Sequence, residues 1–225
     1  MRRSASASPG RVVRDATLHV ALPTAALTAA NIVIGRALAR SERLRERETA
    51  AIRALQAQRT PARDRLAWLV STASDVPESV LHGLVAVAVL GRRTGRWRVA
   101  AVPALALVLE TVTYLAAGRL VNRERPDVPR LDHEQPTSSF PSGHEGATVA
   151  LMVVYALLAR GVRSPLLRAA IGTGCLAYPA TLAWARVHTG MHYPSDVVAG
   201  AANGLASGLL AWHYLRGWNH LREDA

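Results

Sequence analysis

The chain has 225 residues, half of them hydrophobic yet only 5% aromatic, and its 27 basic residues outnumber 16 acidic ones for a net charge of +11. A single cysteine, Cys175, excludes a disulfide framework. The basic residues gather in short connectors between apolar runs, which argues against a nucleic-acid-binding surface and for the loops of a membrane protein. Every basic residue is arginine, a bias of composition that makes each cationic contact a guanidinium fork suited to phosphate.

Residues 1–16 are rich in Ser and Arg and lack an A-x-A-like site leading into a soluble domain. Residues 17–36 are apolar around Pro23 and form the first expected span. From 37 to 65, Arg43, Glu46, Arg47 and Arg53 alternate with spaced apolar residues, the pattern of an amphipathic helix lying on the membrane surface. Residues 66–91 are apolar but interrupted by Asp75, Pro77, Glu78 and His82, and a tight basic loop follows at 92–98. The run 99–118 holds one acid, Glu110, and precedes a polar, proline-containing loop at 119–143. Apolar runs at 145–159, 169–185 and 197–215 complete the series, the first two separated by Arg160, Arg163 and Arg168.

A helix needs roughly 20 residues to cross the hydrocarbon core. The expected architecture is therefore an all-α integral membrane bundle of about six transmembrane helices. Residues 1–65 are its N-terminal tail, first helix and surface helix, 66–216 the core, and 217–225 a polar tail. The two sides carry 13 arginines and, with Arg36 at the end of the first span, 14, which does not decide the orientation. Leaving out the surface helix, whose arginines are partly balanced by Glu, gives 13 against Arg119, Arg123, Arg125, Arg130 and Arg186. The positive-inside rule then puts both termini in the cytosol and loops 119–143 and 186–196 outside.

Those two outer loops concentrate the chemistry. Pro141-Ser142-Gly143-His144 opens a helix, where free backbone N–H groups and the helix dipole favour an anion and glycine permits close approach. Ser142 can donate a hydrogen bond, and His144 can protonate a leaving oxygen. His192 and Asp196 stand four apart, a spacing that would let the carboxylate orient one imidazole nitrogen and raise the basicity of the other. Arg186 precedes His192 by six residues, and Arg125-Pro126 offers a second cationic fork. Polar clusters beside membrane spans are costly and mark function.

The ordered set of Arg125-Pro126, Pro141-Ser142-Gly143-His144 and Arg186-x5-His192-x3-Asp196 resembles the signature of the type 2 phosphatidic acid phosphatase superfamily, which also includes bacterial acid phosphatases and vanadium haloperoxidases. The resemblance spans roughly residues 75–215. It implies a helical core of four to five helices and metal-independent phosphomonoester or diphosphate hydrolysis without a cofactor. It further implies that His192 forms a phosphohistidine with Asp196 orienting it, and that His144 protonates the leaving group and later activates water. Arg125, Arg186, Ser142 and the Gly143 backbone would hold the phosphoryl oxygens. The first motif of the family opens with Lys where this chain has Gly118; Arg119, or else Arg123, is the expected substitute. Its third motif opens with Ser where this chain has Ala185.

The expected function is hydrolysis of the phosphate or diphosphate headgroup of a long-chain lipid at the outer leaflet. Polyprenyl diphosphate, phosphatidic acid, phosphatidylglycerol phosphate and a prenyl-linked sugar phosphate are all open. The alternative is a non-catalytic membrane protein that binds polyprenyl phosphate or anionic lipid. A metal site built on His188 and His192 with His144 or Asp196 is a weaker option, and His188 is expected in the loop near the entrance. Asp75, Glu78, His82 and Glu110 either pair with one another or line the substrate channel. Asp132, His133 and Glu134 sit in the substrate-side loop.

Overall fold

Residues 9–132 and 137–217 are described by the computed structural model, and every regular element among them is helical. His133 and Glu134 lie outside the described residues. The first rod joins α1 (Pro9–Ala16), a π-helical turn (Thr17–Ala21) and α2 (Leu22–Arg40). Pro23 does not end it, because the π-helical turn directly before α2 is the adjustment that accommodates a proline inside a membrane helix. Gly10–Arg40 thus forms 31 residues of continuous apolar helix, longer at both ends than the expected 17–36.

The expected surface helix at 37–65 is two elements. The Ser41 side chain caps α3 (Glu42–Gln56) by accepting from Leu44 N, with Glu42 in the first turn. Thr60 caps α4 (Pro61–Thr72) by accepting from Arg63 N, and Pro61 stands where its missing N–H costs nothing. The core boundary expected at residue 66 therefore falls inside α4. Nor does α3 only lie on a surface, since Glu48 and Ile52 are buried.

Helix α4 is followed after a 55° bend by α5 (Val76–Thr94), with Asp75 at the start of α5 and Pro77 just inside it. Gly95 at φ 63 turns the chain into α6 (Trp97–Val121), and Asn122 at φ 50 ends α6 in the left-handed conformation. The loop carrying the first two motifs then leads into α7 (Gly143–Ala159). Ser164 and Pro165 start α8 (Pro165–His188), and α9 (Pro194–Gly217) follows a tight loop.

Among the described residues, counting α4 and α5 as one bent rod and setting α3 aside gives six rods in the expected order. By length and composition, however, three helices qualify to cross a membrane alone (Gly10–Arg40, Trp97–Val121, Pro165–His188), and the bent pair would make a fourth. Helix α7 is short at 17 residues. Together α6, α7 and α9 form the centre around buried Val102, Ala106, Leu109, Ala150, Val154 and Ala211. Gly200, Gly204 and Gly208, one turn apart, let α9 meet α7 backbone to backbone. A Cβ on Gly204 would stand within overlap distance of Gly146 O, and one on Gly200 would overlap Ser142 O. That contact seats the start of α7, with its Ser-Gly-His sequence, against α9. Large apolar side chains such as Leu84, Val108, Leu166 and Leu176 face outward, as in a lipid-facing shell.

Candidate active site

Three loops meet at one end of the bundle because their backbones are tied together. Ser139 N donates to Arg123 O (2.9 Å) and Ser142 N to Asp196 O (3.0 Å), while Met191 N folds the third segment back on Arg186 O (3.1 Å). Arg125 spans two of the loops, donating to Met191 O (2.6 Å) and Thr137 O (3.3 Å). These bonds bring Arg125, Ser142, Gly143, His144, Arg186 and His192 to one place.

His192 is almost fully buried at 3% exposure, and its Nδ1 lies 2.7 Å from Ser139 O. A carbonyl oxygen can only accept, so Nδ1 carries the proton and Nε2 carries the free electron pair. Burial, and next the cations of Arg186 and Arg125, hold its pKa well below the usual imidazole value. The residue is thus a neutral imidazole with its basic nitrogen available.

The sequence spacing suggested Asp196 as the partner that orients His192, and the structure differs. His192 sits in the loop before Pro194, so the one-turn geometry of an i, i+4 helix pair does not apply to it. Asp196 turns back instead. One oxygen receives Arg123 Nη1 at 2.5 Å; the other receives Ser139 Oγ at 2.5 Å and Tyr193 N at 2.9 Å. Asp196 fixes the residues on either side of His192, and the contact with its ring is made by the Ser139 carbonyl.

Arg123 is buried at 5% exposure. It donates to Asp196 and, through Nη2, to Glu48 Oε2 at 3.0 Å, while its guanidinium stacks 4.2 Å above the Tyr193 ring. Glu48 also receives Ser195 N at 2.7 Å and Ser195 Oγ at 3.0 Å. Arg123 is thereby consumed by carboxylates and is not a free phosphate clamp. Arg119 is exposed on α6 and does not join the cluster. Position 118 faces Phe140 O and Ser138 Cβ rather than the two arginines. Neither arginine thus presents a free, buried guanidinium to the cluster.

The remaining donors are unusual. Arg186 is fully buried, with Nη1 donating to Asp132 at 2.5 Å. Among the described residues, Arg186 Nε and Nη2, Arg125 Nε and Ser142 Oγ are buried with no hydrogen-bond partner. A buried unsatisfied donor costs about 1–3 kcal/mol and a charged one more. Four of them beside one imidazole are the donor set an anion would satisfy. Burial, and then the neighbouring Arg186, lowers the Arg125 pKa to about 10, so it stays cationic at neutral pH.

His144, in the first turn of α7, places Nε2 2.7 Å from Asp75 Oδ1 at the α4–α5 bend. A cavity of about 140 Å3 opens beside His144, His192 and Arg125. It is walled by Val76, Val80, Leu107 and Ala147 and edged by Ser74, Ser79, Thr111 and Glu110. Glu110 lines this channel and also receives Asn203 Nδ2 on its side-chain oxygen (3.3 Å).

Several assignments change. His188 is no entrance loop residue: it is fully buried in the last turn of α8, stacked on Trp184, with Nε2 2.8 Å from Asp64 Oδ1. Among the described residues no three His, Cys, Asp or Glu side chains gather as a ligand set. Glu48 and the Ser139 carbonyl were missed, and Asp75 was put forward only as a pairing or channel-lining acid, not as the partner of His144. Glu48 hides in a run of alternating Glu and Arg, where nothing local distinguishes the buried acid. Asp75 had a signal in the acid and proline that break an apolar run, though its partner lies 69 residues away.

The family model of the PAP2 superfamily matches residues 99–220. A decaprenylphosphoryl-5-phosphoribose phosphatase from Mycobacterium tuberculosis is 34% identical over 134 residues, 58% of this chain and 68% of that protein. Its namesake from Mycolicibacterium smegmatis is 34% identical over 139 residues, 54% of this chain and 71% of that protein. The crystal structure of a transmembrane PAP2-type phosphatidylglycerolphosphate phosphatase from Bacillus subtilis superposes with a TM-score of 0.73, covering 88% of this chain and 96% of that one at 18% identity. Aquifex aeolicus LpxE gives 0.59 over 73% and 94% at 24% identity. At such identities these two structures speak for the fold.

Proposed function

Because this chain belongs to the PAP2 superfamily and is a membrane lipid phosphatase, we propose that it removes the terminal phosphate of a prenyl-linked sugar phosphate through a phosphohistidine. The observation that carries the reading is the group of unpartnered buried donors on Arg125, Arg186 and Ser142, set beside the free Nε2 of His192. Its retention of both histidines in that setting sets aside a non-catalytic lipid binder.

In the proposed reaction, His192 Nε2 attacks phosphorus while Arg125, Arg186, Ser142 Oγ and the Gly143 N–H take the phosphoryl oxygens. The P–O bond breaks with its electrons passing to the leaving oxygen, which takes a proton from His144. Water then attacks the phosphohistidine, His144 recovers a proton from it, and the P–N electrons return to His192. Orthophosphate leaves and both histidines regain their starting states.

The named activity of the relatives at 34% identity favours the sugar phosphate among the possible lipids. The cavity agrees in character: Ser74, Ser79, Thr111 and Glu110 can bond sugar hydroxyls, and Val76, Val80 and Leu107 can follow the start of a prenyl chain. Phosphate release by the purified protein in detergent tests this. A short-chain prenylphosphoryl ribose 5-phosphate should be turned over at a higher kcat/KM than phosphatidic acid or prenyl diphosphate. Equal or better turnover of either competitor overturns the substrate assignment.

We place the active site on the outer face, on the arginine count of the loops. Arg130→Cys in a Cys175→Ala background should react with a membrane-impermeant maleimide in intact cells. Labelling only after lysis would reverse the orientation.

A further inference from the structure

We propose that Asp75 is a positioning residue for His144, supplied from outside the three motifs and outside the residues matched by the family model. The inference rests on the acid–base reading of His144 given above. The geometry begins with the bend between α4 and α5. There Asp75 N donates to Thr72 O (3.2 Å), and Asp75 O accepts from Ser79 N (2.9 Å). The preceding residue is pinned as well: Ser74 Oγ bonds Val70 O (3.0 Å) and shares a 2.6 Å hydrogen bond with Tyr178 on α8. A corner fixed at these points holds the Asp75 carboxylate 2.7 Å from His144 Nε2, and the His144 side chain is only 12% exposed.

The chemistry needs such a partner. To protonate a leaving alkoxide, His144 must begin the first step with a proton on each nitrogen. It has to do so while largely buried and near the Arg186 cation, both of which disfavour imidazolium. A carboxylate on Nε2 opposes these effects and directs the ring, so that Nδ1–H meets the leaving oxygen. The proton passes from Nδ1 to that oxygen as the P–O bond breaks. Nε2–H stays on Asp75, and Nδ1 then accepts a proton from the attacking water. Asp75 keeps its charge throughout. Asp132 engages Arg186 Nη1 and acts on His144 through its charge, whereas Asp75 makes the hydrogen bond to the ring.

A general acid matters in proportion to how poorly the leaving group departs alone. The test compares kcat/KM for a short-chain phosphatidic acid, which must expel an alkoxide, with that for 4-nitrophenyl phosphate, which expels a stabilised phenolate. Asp75→Asn keeps a residue suited to a helix start. It should lower kcat/KM about 30-fold on the alkyl substrate and less than about threefold on the aryl one. Asp75→Ser should show the same selectivity, so that a folding failure of one variant does not leave the matter open. Adding Asp75→Asn to His144→Ala should cost nothing further, as expected of a residue acting through another. Equal losses on both substrates, a full additional loss in the double variant, or a gain in activity each overturn the proposal. His144→Ala is the control: if it shows no selectivity between the substrates, the acid–base reading fails first. If it does and Asp75→Asn does not, only the assignment of Asp75 fails.

Discussion

The two histidines of the site differ in almost every neighbour. His192 is enclosed, its Nδ1 held by a backbone carbonyl and its surroundings dominated by Arg186 and Arg125. His144 stands at the mouth of α7 with a carboxylate on Nε2. A neutral acceptor and two cations keep an imidazole uncharged, whereas a carboxylate offsets part of what burial and Arg186 take from imidazolium. A nucleophile needs the first setting and a general acid the second. In the proposed reaction one residue type takes two roles from where the fold places it, as paired carboxylates do in enzymes that set their pKa values apart.

The most severe way to break this contrast is to remove the nucleophile. His192→Ala should reduce phosphate release by about 10^4-fold or more and abolish the phosphoryl-enzyme seen on rapid acid quench with 32P-labelled substrate. Persistence of the labelled intermediate would assign the nucleophile elsewhere.

Arg186→Gln tests the environment of His192 rather than the ring itself. Losing a buried guanidinium that stabilises developing charge should cost about 10^2- to 10^3-fold in kcat. The accompanying pH effect has a definite sign. His192 reacts as the neutral base, so activity falls as pH drops through its pKa, which lies below the usual imidazole value in the parent. Arg186 is one of the cations that lower it. Its removal raises that pKa, and the acid limb of kcat/KM should move to higher pH. Substrate ionisation is common to both proteins and cancels in the comparison. A limb that stays put or moves down would contradict the electrostatic account.

How much of this was readable in the sequence follows from the range of each interaction. The three motifs announce themselves because each is a local cluster of polar residues between apolar runs, and the six rods follow from those runs. Local spacing failed where a loop replaced a helix: His192 and Asp196 are four apart, yet Pro194 begins α9 between them, so the carboxylate reaches Arg123 and Ser139 instead. It failed again for Glu48, which crosses 75 residues to Arg123 and 147 to Ser195. No periodicity encodes a contact of that kind.

Glu48 gives the next prediction. Arg123 holds carboxylates on both sides, so Glu48→Ala leaves a buried cation with half its compensation. Breaking one partner of a buried pair costs about 3 kcal/mol. For a chain of this size that corresponds to a fall of roughly 10 °C in the melting temperature in detergent. Because Glu48, Arg123 and Asp196 form a connected network leading to Ser139 and His192, formation of the phosphoryl-enzyme should slow as well. The Asp75–His144 hydrogen bond itself involves none of Glu48, Arg123 and Asp196, and the ratio of kcat/KM on alkyl and aryl substrates should not change. A changed ratio would mean the two histidines share their support.

The smallest expected effect concerns the residue that sequence reasoning put forward for the missing lysine. Arg119 is exposed on α6, while the buried donors without a partner belong to Arg125, Arg186 and Ser142. An exposed guanidinium outside the site interacts weakly with a bound anion through solvent. Arg119→Ala should therefore change kcat/KM by less than about twofold at physiological salt. A loss of tenfold or more would require Arg119 to reach the phosphate when substrate binds. That would make the proposed clamp of Arg125 and Arg186 incomplete.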